Sequence, residues 1–143
     1  MSKPTSNEYK SEDWLNLSEE IWKSKLTDQQ YQITRNGGTE RAYSGEYWNH
    51  KESGVYNCSC CEMPLFSSKN KFDSGTGWPS FFETIKEDSI IRNIDNSHGM
   101  NRIEICCARC RCHLGHLFND GPQPTNKRYC VNSASLRFIK IDS

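Results

Sequence analysis

The chain has 143 residues, 34% of them hydrophobic, with 18 lysines and arginines against 18 aspartates and glutamates. That length predicts one domain able to bury its own core, and the balanced charge excludes the broad positive field that gathers proteins on nucleic acid or anionic membranes. The eight cysteines come without an apolar run of signal-peptide or membrane-spanning length, so a soluble cytoplasmic protein whose thiols bind metal or react is expected, in place of a secreted disulfide framework.

Residues 1–16 are polar and aperiodic, as expected of a flexible tail, which places the domain at 17–143. Ser18-Glu19-Glu20 ahead of Ile21, Trp22, Lys25 and Leu26 predicts a short capped helix. Thr27-Asp28-Gln29-Gln30 has the spacing of a capping box; with Tyr31 and Ile33 following and Gly37-Gly38 as the stop, it predicts a second. From Tyr47 onward, Gly, Asn, Ser and Pro separate short β-branched runs such as Ser89-Ile90-Ile91, Arg102-Ile103-Glu104-Ile105 and Ser135-Leu136-Arg137-Phe138-Ile139. These predict antiparallel strands joined by loops, and a mainly β fold. No repeat of solenoid length occurs, although two CxxC pairs echo each other.

Those pairs, Cys58-x-x-Cys61 and Cys107-x-x-Cys110, have the arrangement in which two loops each offer two thiolates to one tetrahedral Zn²⁺. Four sulfurs leave no coordination place for water or substrate, so such a centre is structural and its binding energy adds to folding. Two disulfides, or two redox-active CxxC units, are the competing readings; the second lacks the βαβ pattern of thioredoxin-like proteins. Cys60, Cys106 and Cys112 lie beside the four, and spacing alone leaves a CxC pairing open.

Cys130 stands far from the other seven cysteines. If Arg128-Tyr129-Cys130-Val131-Asn132 is extended, the period of two puts Arg128, Cys130 and Asn132 on one face and Tyr129 and Val131 on the other. A guanidinium beside a thiol favours the nucleophilic thiolate, and an amide can hold a substrate; the plain alternative is a buried free cysteine acting as a small hydrophobe. His113-Leu114-Gly115-His116-Leu117-Phe118-Asn119-Asp120 brings two imidazoles and a carboxylate together, groups that move protons near neutral pH. Against that stands His113 as a metal ligand, or both histidines as satisfied core groups. Phe72-Asp73-Ser74-Gly75-Thr76-Gly77-Trp78-Pro79-Ser80-Phe81 sets Trp78 on a glycine-permitted turn, able to present an indole face to a cleft or simply to the core.

Several ungapped blocks in order then carry a family resemblance: TERAYSGEYW at 39–48, the first CxxC, SGTGWPSF at 74–81, the second CxxC running into HLGHLFNDGP at 113–122, and RYCVNSASLRF at 128–138. From Trp22 onward the chain resembles the B-type peptide methionine-R-sulfoxide reductases. The resemblance implies a fold of two antiparallel sheets, often called a β-tent, with short N-terminal helices and one structural Zn²⁺ far from the site. It implies reduction of the R epimer of peptide-bound methionine sulfoxide by Cys130 through a sulfenic acid, with His113, His116, Asp120, Arg128 and Asn132 around the nucleophile and Trp78 and Phe118 against the substrate. A monomer recharged by thioredoxin or by glutathione with glutaredoxin is expected.

In one place the chain departs from the family pattern. Many relatives carry a resolving cysteine in the SGxGWP loop, where this chain has Thr76. The internal candidate is then Cys112; the alternative is an external thiol attacking the sulfenic acid directly. A zinc-stabilised β-tent binding module without catalysis is the competing function, and it has no need of a thiol grouped with Arg128, Asp120 and two histidines.

Overall fold

The computed structural model describes residues 14–141. Two short helices that lie wholly among the described residues, α1 (Glu19–Lys25) and α2 (Asp28–Thr34), precede the nine strands found there. Both helix starts follow from their caps. Ser18 Oγ accepts from the Ile21 N–H at 3.3 Å, and at Thr27 the capping box is reciprocal, with Gln30 N–H to Thr27 Oγ1 at 3.1 Å and Thr27 N–H to Gln30 Oε1 at 2.9 Å. Trp22, Tyr31 and Ile33 turn inward. Of the expected tail, residues 1–13 lie outside the described residues, whereas Trp14 is fully buried and stacks on Trp22 with ring centroids 6.0 Å apart. The packed body therefore takes in Trp14, upstream of the boundary drawn at residue 17.

The strands are β1 (Gly54–Cys58), β2 (Pro64–Ser67), β3 (Lys71–Phe72), β4 (Ser80–Phe81), β5 (Ile90–Asp95), β6 (Arg102–Cys107), β7 (His113–Phe118), β8 (Arg128–Val131) and β9 (Leu136–Lys140). They form a small sheet in the order β2-β1-β9 and a larger one in the order β3-β4-β8-β7-β6-β5, and every pairing is antiparallel. This is the mainly β, two-sheet architecture expected. The core lies between the sheets, where Phe66 stacks on Phe81 at 4.3 Å and Tyr56 meets Phe81 edge-on at 5.2 Å. Ile105, Leu117, Tyr129 and Val131, which alternate along β6, β7 and β8, complete it. Each such side chain, once buried, contributes about 1.5–3 kcal/mol.

Because Ile105 of β6 and Tyr129 and Val131 of β8 face this core, their even-numbered neighbours must stand on the opposite face of the large sheet. Cys130 pairs across to Ser80 on β4 and to His116 on β7, His116 to Glu104 on β6, and Phe118 to Arg128. One irregularity alters the pattern. Gly115 faces Ile105 but the next pairing is His113 with Cys106, so Leu114 is an extra residue that its partner strand does not match. The bulge rotates His113 onto the face that His116 already occupies. Without it, three residues of separation would have sent the two imidazoles to opposite sides.

Candidate active site and metal centre

Over this face lies a cavity of about 250 Å³ bounded by Thr76, Trp78, His116, Arg128, Cys130 and Asn132, with Phe118 at its rim. Trp78 is held there by its indole N–H, which donates to the Glu40 carbonyl at 3.0 Å. Gly77, at φ 89°, makes the turn, and a Cβ on it would press into the Tyr43 ring at 2.8 Å. Asn132 is buried, and both ends of its amide are engaged by backbone: Oδ1 accepts from the Glu40 N–H at 3.0 Å, and Nδ2 donates to the Leu114 carbonyl at 3.1 Å. Its side chain thus joins the residue that anchors Trp78 to the bulge that turns His113.

Cys130 is half-buried, and that burial pushes its thiol above the ordinary value; Arg128 and the Thr76 hydroxyl pull the other way, and Glu40 adds to the rise. The guanidinium does favour the thiolate, as residue types alone imply, but desolvation outweighs it. Arg128 is itself shared. It forms a two-pronged pair with Asp120, Nε to Oδ1 at 2.8 Å and a terminal nitrogen to Oδ2 at 3.1 Å, and lies 4.2 Å over the Phe118 ring. Asp120, mostly exposed, is kept below the usual carboxylate range by Arg128. It acts on the cavity through Arg128 and does not line it.

Each imidazole has a carboxylate of its own. His116 Nε2 lies 2.7 Å from Asp95, whose other oxygen accepts the Ser97 hydroxyl at 2.6 Å and the Ser97 N–H at 3.0 Å, while Arg102 approaches at 3.5 Å. Burial lowers the His116 pKa and Asp95 partly restores it; Asp95 is held well below the usual range by Ser97 first and His116 second. His113 Nδ1 lies 2.7 Å from Glu104, and its Nε2 is buried without a hydrogen-bond partner. The two rings are 5.7 Å apart. His113 does not line the Cys130 cavity; it borders a neighbouring space of about 470 Å³, and Thr39, Arg102 and His116 stand between the two.

Asp95, Arg102, Glu104 and Glu40 were not singled out from the sequence. Charged residues alternating with isoleucine in Arg102-Ile103-Glu104-Ile105 were the available signal, since a strand with one apolar face and a charged opposite face has something for those charges to meet.

At the end of β6 away from these groups, Cys58, Cys61, Cys107 and Cys110 are all fully buried, and their sulfurs lie within 4.8 Å of one another. Two sulfur pairs are 3.6 Å apart, far beyond a disulfide bond of about 2.05 Å. The knuckles are twins. Cys58 N–H bonds the Met63 carbonyl at 2.8 Å and its carbonyl takes the Glu62 N–H at 2.8 Å; Cys107 does the same with Cys112 at 2.9 Å and Arg111 at 2.8 Å, and Glu62 and Arg111 both sit at φ 65°. A metal ion fits between them. Cys112 is fully buried on this side, grouped with Cys58 and Cys60, and its thiol points to the His113 carbonyl.

Residues 26–140 match the SelR domain family. The chain is 56% identical over 130 residues to the peptide methionine sulfoxide reductase MsrB of Hahella chejuensis, covering 91% of this chain and 94% of that protein. It is 59% identical over 127 residues to the protein of the same name from Synechococcus sp., covering 89% and 93%. With peptide methionine sulfoxide reductase B1, chloroplastic, of Arabidopsis thaliana, the identity is 55% over 136 residues, 94% of this chain and 67% of the relative.

Proposed function

The chain belongs to the SelR-domain family of peptide methionine sulfoxide reductases, the B type, and from that membership we propose that the cavity over Cys130 is where its reaction takes place. It reduces methionine-R-sulfoxide to methionine. The observation that carries the assignment is the convergence of Cys130, His116, Arg128 and Trp78 on one cavity from the β4 turn, β7 and β8.

The S-methyl group rests against Trp78 and Phe118, apolar faces beside a cation and the His116 imidazole. Cys130 sulfur attacks the sulfoxide sulfur while the oxygen takes up a proton. A thiol whose pKa is raised by burial rests protonated, so it brings the proton that the departing oxygen needs. His116, directly across from Cys130, relays it, with Asp95 supporting the imidazolium that forms on the way. Arg128 steadies the transient thiolate. The S–S bond made by the attack then breaks as the protonated oxygen passes from the substrate sulfur to the Cys130 sulfur, so that one thiol and one sulfoxide give one sulfenic acid and one thioether. A second thiol then condenses with the sulfenic acid, releasing water, and a third frees Cys130 from the mixed disulfide.

Those thiols come from outside the chain. Cys112 lies four positions along β7 from the residue opposite Cys130, on the order of 10 Å or more at about 3.3 Å per residue. Cys106 is two strands away, again near 10 Å at roughly 4.8 Å per strand. Disulfides need Cα atoms roughly 4–7 Å apart. Thioredoxin, or glutathione with glutaredoxin, supplies the electrons, which suits a protein of a reducing compartment such as the cytoplasm. Among the described residues no helix is long and apolar enough to cross a membrane.

Zinc is the ion we assign to the Cys58, Cys61, Cys107 and Cys110 centre. A tetrahedron with Zn–S bonds of about 2.3 Å has edges of about 3.8 Å, close to the 3.6 Å sulfur pairs. Bound there it supplies a cross-link between the β1–β2 and β6–β7 turns and no reactive group, because all four positions are filled.

The assay is turnover of each sulfoxide epimer of an N-blocked methionine with dithiothreitol. Only the R form should be consumed, and Cys130→Ser should be inactive while keeping its fold and metal. Activity surviving that substitution refutes the assignment of the nucleophile.

A further inference from the structure

On the site face of the large sheet, beyond the Cys130 cavity, three side chains of different donor type converge. Glu104 and Cys106 alternate along β6, and His113 is brought opposite Cys106 by the β7 bulge. A carboxylate oxygen, a thiol sulfur and a ring nitrogen lie within 4.8 Å of one another. None belongs to the four-sulfur centre: Cys106 precedes Cys107 but its side chain leaves the opposite face of the strand.

From this convergence we infer that the chain holds a second metal site, for a divalent ion of zinc type, made by Glu104, Cys106 and His113, and that filling it inhibits reduction.

The chemistry of the donors selects the ion. Thiolate with imidazole and a single carboxylate suits zinc and its neighbours, and does not suit Mg²⁺ or Ca²⁺, which require oxygen ligands. Three protein ligands leave a fourth position for water, as in open zinc sites. Glu104 and His113 both border the space of about 470 Å³ beside the Cys130 cavity, so an ion has a route in and the water a place to stand. Cys106 and His113 are each 6% exposed, and His113 Nε2 has no partner, so the fold leaves that ring's hydrogen-bonding capacity incompletely used. An outer partner is also present. Asn93 Nδ2 lies 3.3 Å from Glu104 Oε1 and 3.8 Å from Cys106 Sγ, positioned to orient two of the three ligands at once.

Occupation should stop the enzyme because a dication held by His113, whose ring lies 5.7 Å from that of His116, opposes the imidazolium that the His116 relay must form. The inhibition rests on the reading of Cys130 and the histidines as the reductase centre. The binding does not, so the two can fail separately.

Native-state mass spectrometry after equilibration with Zn²⁺ tests the binding. Wild type and Cys130→Ser should each carry two ions per chain; Cys106→Val should carry one, retained by the four-sulfur centre. Glu104→Gln, read by mass alone, should also lose the second ion and serves if Cys106→Val does not fold. Inhibition is read in single turnovers of the pre-reduced enzyme, with no added thiol to compete for metal. Half-inhibition of Cys106→Val should need at least about tenfold more Zn²⁺ than wild type, since losing a ligand costs no less than the 10–100-fold typical of an outer partner. Mg²⁺ at the same concentration should not inhibit. One ion on wild type, a second ion that survives in Cys106→Val, one lost in Cys130→Ser and kept in Cys106→Val, or equal inhibition of both enzymes would overturn the proposal.

Discussion

Asn132→Ala separates a residue that touches substrate from one that builds the wall around it. The amide makes two buried bonds, from the Glu40 N–H and to the Leu114 carbonyl. Leu114 keeps a second donor, the Asn132 backbone N–H at 2.9 Å, but the Glu40 N–H loses its acceptor in a buried place. Two net bonds at about 0.5–1.5 kcal/mol each, together with about 1–3 kcal/mol for the stranded N–H, set the loss at about 2–6 kcal/mol. In urea, with m near 2 kcal/mol per molar, the midpoint should fall by about 1–3 M, measured at fixed free Zn²⁺ so that metal linkage is constant. Glu40 also holds the Trp78 indole, so KM should rise along with the destabilisation. An Asn132→Ala enzyme of wild-type stability but collapsed kcat would refute this reasoning and make Asn132 a direct partner of the substrate.

Asp95→Asn removes the carboxylate that partly restores the His116 pKa, so that pKa should fall further; the acidic limb of the kcat/KM profile, where His116 is already protonated and cannot take the Cys130 proton, should move to lower pH with KM little changed, and an unmoved limb would count against Asp95. Alkylation of Cys130 by iodoacetamide, followed against pH, should be half-maximal above the value for an ordinary thiol, and Arg128→Met should push it higher still, because one of the two groups opposing burial is gone. Stoichiometric oxidation with R-sulfoxide followed by disulfide mapping should find no bond from Cys130 to Cys112 or Cys106, whereas Thr76→Cys, at the residue whose hydroxyl meets Cys130, should acquire one to Cys130.

Much of the molecule was legible in residue order because the causes are local. Ser18 and Thr27 cap their helices through neighbours three residues away, and Arg128 and Cys130 share a face by strand parity alone. The CxxC spacing reaches the four-sulfur centre because each knuckle is a single tight turn. What stayed hidden depends on the third dimension. The bulge at Leu114 is a backbone event with no side-chain signature, and it alone puts His113 on the face of His116. Asp95 and Glu104 meet the histidines only through the lateral order of β5, β6 and β7, which no local pattern encodes. Residue order, which offered Cys112 as the internal resolving thiol, likewise could not reveal that its thiol is enclosed with Cys58 and Cys60.

The pairing of His116 with Cys130 depends on how closely β7 approaches β8, and Gly115 sets that approach. A Cβ there would fall inside contact distance of the Cys130 carbonyl oxygen and within 3.0 Å of the Val131 Cα; both obstacles are backbone and neither can rotate away. Gly115→Ala must therefore part the two strands beside the nucleophile itself. Gly115 directly follows the bulged Leu114, so the displacement is passed to His113 as well. A misplacement of about 1 Å between reacting groups can cost on the order of a hundredfold in rate. The four-sulfur centre, built on the β1–β2 and β6–β7 turns, should keep its ion. The expected enzyme is thus folded, metal-loaded and slower by about that factor at saturating sulfoxide; near-wild-type kcat in Gly115→Ala would mean that strand spacing does not govern the encounter of thiol and imidazole.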